Sequence, residues 1–458
     1  MRLLNTTTLV FMETHDPPPY AILSHRWGGE EVTYKEFQLA QRPRNMLSPW
    51  QASQVSGTRQ RAGYNKILRF CDFARSHRVR PRDEDPTTYQ WCWVDTCCID
   101  KRSSAELSEA INSMWKWYRQ AACCYVYLAD VPNVSQQVLF SDTLIMSSWF
   151  KRCWTLQEFL APERIVFLTN DWTPCINIDK GRGGFHCEWI ASRDPGYRAW
   201  HNLERHNAVH NIAVATKIPM ECFTHIDGHR TFSVAQRLSW AADRSATREE
   251  DVAYSLLGLF DINMPLLYGE GQKAFVRLQH EIIRSSPDET IFAWRTPAPT
   301  NQLGHDMYYD DLTCCSTTSL LAPHPRLFSL SGRLQVNGRR DVPLNITNRG
   351  CLLVGGLVYP FCELSPPAGS KPRWYYAVKL YCRDVDDHGK GYDCGIVLAG
   401  RGLSDEGPQV AREIFARVRT CDLGYDLAKI AGARFFNVRR GPEAMHLFLP
   451  VNLPEAEK

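Results

Sequence analysis

The sequence predicts an α/β fold with a largely parallel sheet, followed by a helical segment and a β-rich C-terminal domain. Three observations predict this order. Short apolar runs alternate with amphipathic stretches over residues 1–170, which is typical of strand–helix–strand units. Residues 231–294 have helical periodicity, and after the proline-rich stretch 296–300 the chain turns to short β-type runs separated by Gly, Pro, Asn and Asp.

We therefore expect three regions. An α/β domain covers 1–170, a mostly helical extension packed on it covers 171–295, and the β-rich domain covers 300–458. The length of 458 residues agrees with two or three domains. No period of 20–50 residues repeats in the sequence, which disfavours solenoids and propellers.

Four apolar runs are expected to form the parallel strands of the first domain. They are Tyr20–Ser24, Trp91–Asp95, Cys124–Leu128 and Arg164–Leu168. Helices are expected between these strands, at 62–76, 103–121 and 149–160. The helix at 103–121 has the strongest signal, because Ser103 and Glu106 have the spacing of a capping box.

Composition excludes several classes of protein. Hydrophobic residues make up 44% and charged residues 22% of the chain, which rules out wholesale disorder. Lys and Arg number 53 against 50 Asp and Glu, so charge gives no reason to expect nucleic acid as a partner. No run is long and apolar enough to span a membrane and residues 1–10 do not resemble a signal peptide, so we expect a soluble, cytoplasmic protein.

The 17 cysteines are expected to be reduced and buried. They are spread along the chain, many within apolar strands, and three pairs are directly adjacent rather than spaced as C-x2-C. His206 and His210 have helical ligand spacing but no third ligand in their motif. We therefore predict no metal site.

Polar and aromatic side chains follow the first predicted strand, where open α/β sheets bind their ligands. Ser24, His25 and Arg26 offer a hydroxyl, an imidazole and a guanidinium suited to phosphate or ribose. Gly28 allows the backbone a close approach to a ligand. The alternative is that Trp27 packs on the sheet while His25 and Arg26 are ordinary surface groups.

Three carboxyl groups are candidates for the same rim of the sheet. Asp95 ends the second predicted strand, where it either forms a turn or faces a site. Asp100 precedes a helix, and capping is its more frequent role there. Glu158 lies one helical turn after Trp154, and an acid beside an aromatic ring suits a sugar and a developing oxocarbenium ion. A helix-surface Glu is otherwise simply solvated, and a Cys153–His25 nucleophile lacks any supporting motif.

Several long motifs, in order, resemble the fungal heterokaryon-incompatibility (HET) domain family. They are YAILSHRWG at 20–28, AGYNKI at 62–67, WVDTCCIDKRSSAELSEAINSMWKWY at 93–118, CYVYLADV at 124–131 and WFKRCWTLQEFLAP at 149–162. The block at 233–283 is similar to the segment that commonly follows this domain. The resemblance implies a role in non-self recognition and in the programmed cell death that follows fusion of incompatible fungal cells.

The same motifs are similar to those of TIR domains, which implies a flavodoxin/TIR-like sheet. Enzymatic TIR domains use a Glu in this helix to cleave the nicotinamide–ribose bond of NAD, so the resemblance makes Glu158 the catalytic candidate. It implies NAD as a substrate, with no resident cofactor, bound by Ser24, His25, Arg26, Trp27, Asp95, Asp100 and Trp154. Ser148 departs from the usual Arg and could alter a phosphate contact, and the loop 78–90 is longer than usual.

Two functions remain open at this point. The chain is either an NAD-cleaving effector or a non-catalytic module that acts by self-association, as adaptor TIR domains do. In both cases an unidentified partner protein, or the C-terminal domain, is expected to provide the trigger.

Overall fold

The computed structural model describes most of the chain. The described residues are 1–76, 88–133, 143–180, 186–189, 210–294, 320–338, 344–347, 350–354, 358–362, 374–400, 415–422 and 446–449. Contacts divide the chain into two units, one comprising 1–231 with 244–266 and the other 232–243 with 267–458. The domain boundaries expected from sequence stay a prediction, as does the loop 78–90, most of which lies outside the described residues.

The first unit is built on an eight-stranded mixed sheet. Its strands are β1 (Arg2–Asn5), β2 (Phe11–Glu13), β3 (Tyr20–His25), β4 (Trp91–Trp93), β5 (Cys123–Tyr127), β6 (Arg164–Leu168), β7 (Pro174–Asp179) and β8 (His186–Trp189). Along the sheet they follow the order β2-β1-β4-β3-β5-β6-β7-β8. The central strands β4, β3, β5 and β6 are parallel, which confirms an α/β fold with a parallel core.

Antiparallel strands extend this core on both sides. At one edge, β1 pairs with β4 and forms a hairpin with β2. The hairpin turn is held by the Asn5 side chain, which accepts hydrogen bonds from the backbone N–H groups of Thr7 and Thr8, and Leu9 adopts a positive φ of 57°. At the other edge β7 pairs with β6 and β8, so the sheet continues past residue 170.

Helices of the first unit connect and flank the strands. They are α1 (Tyr34–Ala40), α2 (Pro49–Gln60), α3 (Ala62–Ser76), α4 (Asp95–Cys98), α5 (Ser104–Gln120), α6 (Thr155–Leu160), α7 (Glu221–Thr224) and, later in the chain, α9 (Asp251–Tyr254). The second unit contains α8 (Val234–Ser239) and α10 (Lys273–Ser285). The expected helices at 62–76 and 103–121 are confirmed as α3 and α5. Ser103 caps α5 by accepting a bond from the N–H of Glu106.

The predicted strand Trp91–Asp95 is shorter than expected. The strand β4 ends at Trp93, because the backbone turns into α4 and the N–H groups of Cys97 and Cys98 donate to the Val94 carbonyl. Asp95 consequently begins a short helix instead of ending a strand.

The prediction of a single helix at 149–160 is wrong. The structure has a 3-10 turn at Ser148–Lys151 and then α6, separated by an extended Arg152 with φ −89° and ψ 140°. Arg152 forms a parallel β-bridge with Ser245. The N–H of Ser245 donates to the Lys151 carbonyl at 2.8 Å, and the N–H of Cys153 donates to the Ser245 carbonyl at 3.0 Å. This pairing stops a helix from running through.

A buried arginine supports the start of α6. Arg244 is 4% exposed, and its guanidinium donates to the Arg152 carbonyl and to the Thr155 hydroxyl oxygen, both at 3.0 Å. The Thr155 hydroxyl in turn donates to the Trp149 carbonyl at 2.7 Å. With these hydrogen bonds the Arg244 guanidinium fixes the direction in which α6 leaves the β-bridge between Arg152 and Ser245.

The interior of the sheet contains large aromatic rings and thiols. Trp93, Tyr118 and Tyr125 are almost fully buried, and Trp93 packs edge-on against Tyr118 with ring centroids 6.0 Å apart. The cysteines whose side chains the structure describes are free and buried: Cys71, Cys92, Cys97, Cys98, Cys123, Cys124, Cys153, Cys175, Cys222, Cys382 and Cys394. The expectation of buried thiols is confirmed for these residues.

The second unit contains two antiparallel sheets. Its strands are β9 (Leu334–Val336), β10 (Asn345–Thr347), β11 (Gly350–Val354), β12 (Val358–Cys362), β13 (Trp374–Val385), β14 (Gly391–Gly400), β15 (Phe415–Asp422) and β16 (His446–Leu449). One sheet has the order β10-β11-β16, and the other has β12-β13-β14-β15 with β9 on β13. None of the described helices is long and apolar enough to cross a membrane.

Candidate functional site

Glu158 contacts the carboxyl end of the first parallel strand. The helix α6 carries it, and Ser24 at the end of β3 donates its hydroxyl to Glu158 Oε2. The Ser24 oxygen accepts a hydrogen bond of 2.8 Å from the indole Nε1 of Trp149. Because Trp149 and Ser24 are buried and Glu158 is a half-buried residue, a relay of two hydrogen bonds leads from the core to its carboxyl group.

The surroundings of Glu158 favour its protonated form. Burial is the largest cause, and with the negative charge of Asp95 it raises the pKa of Glu158 to about 8. Hydrogen bonds from Ser24 and Tyr118 and the charge of Arg152 act in the opposite direction. Near neutral pH the group therefore titrates, which is unusual for a Glu and typical of functional sites.

We expect Ser24→Ala to raise the pKa of Glu158 further. The substitution removes a donor to the carboxylate and leaves the burial and Asp95 unchanged, so the increase should be roughly 1. The measurement is the carboxyl-carbon chemical shift of Glu158 against pH in labelled protein. A Glu158 pKa that is unchanged or lower in Ser24→Ala would contradict the role of this hydroxyl.

A second cluster of charges lies beside Ser24. His25 is buried between two acids, with Nε2 3.7 Å from Glu31 Oε1 and Nδ1 3.9 Å from Asp95 Oδ1. Lys66 donates to Glu31 Oε1, and so does the N–H of Gly28, at 2.8 Å. Burial raises the pKa of Glu31, but its contacts with His25, Lys66 and Gly28 outweigh this and lower it to about 2. Glu31 is consequently a fixed negative charge.

Trp27 lies at the surface of this cluster and is 45% exposed. Its indole Nε1 donates to Asp95 Oδ2 at 2.7 Å. The Lys101 ammonium lies over its ring, 3.2 Å from the centroid. The alternative expected from sequence, in which Trp27 packs on the sheet, is wrong because Asp95 holds the ring at the surface.

Three residues expected in the site make no side-chain contact with Glu158. Arg26 is exposed and has no hydrogen bond or ion pair within the described part of the chain. Asp100 accepts the N–H of Arg102 at 3.1 Å and so forms the turn before α5, but Ser103 caps that helix, so the capping role expected for Asp100 is wrong. Trp154 precedes α6, and only its carbonyl meets residue 158, accepting the Glu158 N–H at 3.4 Å.

Ser148 has a local structural partner. Its hydroxyl and its N–H both donate to Asp130 Oδ2, at 2.6 and 2.8 Å. Ser147 donates to the other oxygen at 2.6 Å. Burial raises the pKa of Asp130, and these hydrogen bonds lower it overall. The serine therefore fixes the start of the 3-10 turn that carries Trp149.

Cys153 does not have the character of a nucleophile. The side chain is 2% exposed, and burial raises its pKa to about 12, so the reactive thiolate is absent at neutral pH. No group of three or more His, Cys, Asp or Glu able to hold a metal ion is present in the described ranges. His206 lies outside those ranges.

Several members of the site have no signal of their own in the sequence. Trp149 and Tyr118 lie within the expected helices 149–160 and 103–121, and nothing in their spacing indicates that one donates to Ser24 and the other faces Glu158. Glu31 and Lys66 carry no motif of their own. The signal available for Lys101 was its place directly after Asp100, in a segment already expected at the rim.

The arrangement joins a titrating carboxyl group to an acidic, aromatic surface. Glu158 can accept hydroxyl groups or stabilise a developing positive charge. Asp95, Glu31 and the face of Trp27 together favour a cationic ligand. A ligand with both sugar hydroxyls and a positively charged ring fits these groups.

Two family models match the chain. Residues 20–142 match the model described as heterokaryon incompatibility protein (HET), and residues 273–349 match a domain of unknown function, DUF8212. The HET match includes Ser24 through Asp100 of the expected site and ends before α6, which carries Glu158.

A curated relative covers more of the chain. Vegetative incompatibility protein HET-E-1 of Podospora anserina is 40% identical over 272 residues, which is 58% of this chain and 16% of the relative. The chain thus spans about a sixth of the length of that protein. No solved structure is significantly similar to the chain.

Proposed function

We propose that this chain, which belongs through residues 20–142 to the heterokaryon incompatibility (HET) family, is a vegetative incompatibility effector that splits the nicotinamide–ribose bond of NAD. Its product or the loss of NAD then promotes cell death on non-self recognition. The similarity to HET-E-1, a vegetative incompatibility protein, supports the biological part. The chemical part rests on Glu158.

The observation that carries the proposal is a desolvated carboxyl group, on the half-buried residue Glu158, beside the edge of the sheet where ligands are expected. The parallel strands β4, β3, β5 and β6 have the order second, first, third, fourth along the sheet. This is also the order in flavodoxin-like sheets, which bind ligands where the strand order reverses, between the first and third strands. Ser24, at the carboxyl end of the first strand, holds Glu158 there.

The chemistry follows from the charge of Glu158. The bond from the ribose C1′ to the nicotinamide nitrogen breaks, and its electron pair leaves with neutral nicotinamide, so the ribose becomes oxocarbenium-like. The Glu158 carboxylate stabilises that positive charge, more strongly than in water because its surroundings are of low dielectric. Water then adds to C1′ and loses a proton, which gives ADP-ribose.

The test is NAD consumption by the purified chain at several protein concentrations, with and without a macromolecular crowder. One nicotinamide should be released for each NAD lost, and a rate per molecule that rises with concentration would indicate active assemblies. Absence of nicotinamide release under every condition, with cell killing intact, would overturn the enzymatic proposal. The non-catalytic self-associating module would then replace it.

A further inference from the structure

We propose that Lys101 is a tethered cation that occupies the place of a positively charged pyridinium ring on Trp27, so that the site selects a cationic ring over a neutral one. The inference deepens the proposed function and rests on it for the identity of the ligand, the oxidised nicotinamide ring of NAD. Lys101 would act as a specificity-determining residue and leave the ring when the ligand binds.

The geometry of Trp27 is that of an occupied cation site. The Lys101 Nζ lies 3.2 Å from the ring centroid, well inside the range of a cation–π contact. The ring cannot turn freely, because its Nε1 donates to Asp95 at 2.7 Å. Trp27 is 45% exposed as a residue, and an aromatic ring held in one orientation can accept a flat cation as well as an ammonium group.

The charges around Lys101 favour a cation over the Trp27 ring, whether Lys101 or a ligand supplies it. Burial lowers the pKa of Lys101 overall, and the negative charges of Asp95, Glu31 and Asp251 act against this effect and so favour its charged form. The nearby Cys97 is a buried thiol whose pKa burial raises well above its ordinary value, so it adds no charge near neutral pH. Apart from Lys101 itself, and from His25 and Lys66 that contact Glu31, the charged groups at this site are therefore acidic.

Two carboxylate oxygens of this acidic site accept no hydrogen bond from Lys101. Asp95 Oδ1 and Glu31 Oε2 are buried and have no hydrogen-bond partner among the residues that the structure describes, although unpaired buried carboxylate oxygens cost free energy. A nicotinamide ring carries both a delocalised positive charge and a carboxamide with two N–H donors. The reduced nicotinamide ring keeps the carboxamide but has no charge. It therefore lacks the cation–π contact with Trp27 and the attraction to the carboxylates that the oxidised ring has.

The cation site on the Trp27 ring is connected to Glu158 through Asp95. The Asp95 carboxylate orients Trp27 and also acts electrostatically on Glu158. A ring on Trp27 and a ribose at Glu158 would thus be recognised by one continuous set of charges.

The experiment compares the cation 1-methylnicotinamide with neutral nicotinamide by ligand-observed NMR on the full chain. We expect Lys101→Met to bind the cation about tenfold more tightly, because the internal competitor is gone, and Trp27→Leu to bind it about tenfold more weakly. Lys101→Arg keeps the charge and should bind like the unmodified chain. Affinity for neutral nicotinamide should change by less than about threefold in each variant.

Weaker or unchanged binding of the cation by Lys101→Met would overturn the inference and leave Lys101 a structural residue. Lys101→Gln, a polar and uncharged replacement, repeats the test if the methionine variant does not fold. The probe has no ribose bond, so the result is independent of cleavage. Charge-selective binding without NAD turnover would overturn only the enzymatic proposal, whereas NAD turnover without an effect of Lys101→Met would overturn only the role of Lys101.

Discussion

Replacing Glu158 by glutamine is expected to lower the rate of NAD cleavage by about a hundred- to thousandfold. Glutamine keeps the size of the side chain and can still accept the Ser24 hydroxyl, but it has no negative charge to stabilise the oxocarbenium-like ribose. The loss should fall on kcat more than on KM, since the charge acts mainly on the transition state. Nicotinamide release in a steady-state assay measures it.

The pH dependence of the unmodified protein identifies the same group. The pKa of Glu158 is raised to about 8, and the ionised form is the one that stabilises positive charge. The value of kcat/KM should therefore increase about tenfold per pH unit below pH 8 and level off above it. Asp95 and Tyr118 face Glu158 with Arg152 and Arg244 nearby, and the arginines keep their charge across this range.

Stability should change in the opposite sense to activity. An acid whose folded-state pKa is about 8 instead of the ordinary 4.5 holds a proton that the unfolded chain has lost, so stability falls as pH rises between these values. Glu158→Gln does not titrate, and its melting temperature should exceed that of the unmodified protein at pH 9 but not at pH 5. Loss of activity in a more stable protein excludes unfolding as the cause.

The matched control is Glu109→Gln on the exposed face of α5. It removes the same charge from the same unit and should leave cleavage and its pH profile unchanged. Full NAD cleavage by Glu158→Gln would remove the catalytic role from this residue, whatever the behaviour of the control.

Gly258→Ala is expected to destabilise the first unit by about 3 kcal/mol or more. Gly258 begins a 3-10 turn at Gly258–Phe260 that packs against α5. A Cβ atom added there would lie 2.1 Å from Cβ and 2.6 Å from Cγ of Trp115. Both are atoms near the α5 backbone, so the neighbour cannot yield by a simple rotation. Thermal unfolding should show a melting temperature lower by about 6–12 °C.

Gly57→Ala is the control for this substitution. Gly57 lies inside α2, and an added Cβ would meet nothing within 4 Å. Alanine in a helix interior should stabilise the protein by about 0.5–1 kcal/mol. Equal melting temperatures for the two variants would show that the close packing of Gly258 on α5 does not limit stability.

The parallel core of the first unit could be predicted because its signals are local. The strand at Arg164–Leu168 has the expected limits, and α5 begins at its predicted cap because short apolar runs and cap residues act within a few positions. The hairpin strands β1 and β2 were missed. They are short, and their pairing depends on the Asn5 turn and on β4, more than 80 residues away in the chain.

The site was predictable only in part, for a related reason. Ser24 and Asp95 were found because a parallel sheet brings strand ends to one edge, and Glu158 was found from its place one turn after Trp154 and from the resemblance to TIR domains. The partners that set their properties come from elsewhere. Trp149 reaches Ser24 because the helix expected at 149–160 is broken, and the break depends on a bridge to Ser245 that no pattern near Trp149 indicates.

That bridge also affects when the site forms during synthesis. Arg244 and the carbonyl of Arg152 are 92 residues apart in sequence, and a contact of such separation cannot form until the later residue has been translated. At about 5–20 residues per second, Glu158 is made about 4–17 s before Arg244, which helps to orient its helix. For the proposed effector, the nascent chain therefore carries Glu158 for several seconds before the contact that orients its helix can form, so NAD cleavage is expected only after residue 244 has been made.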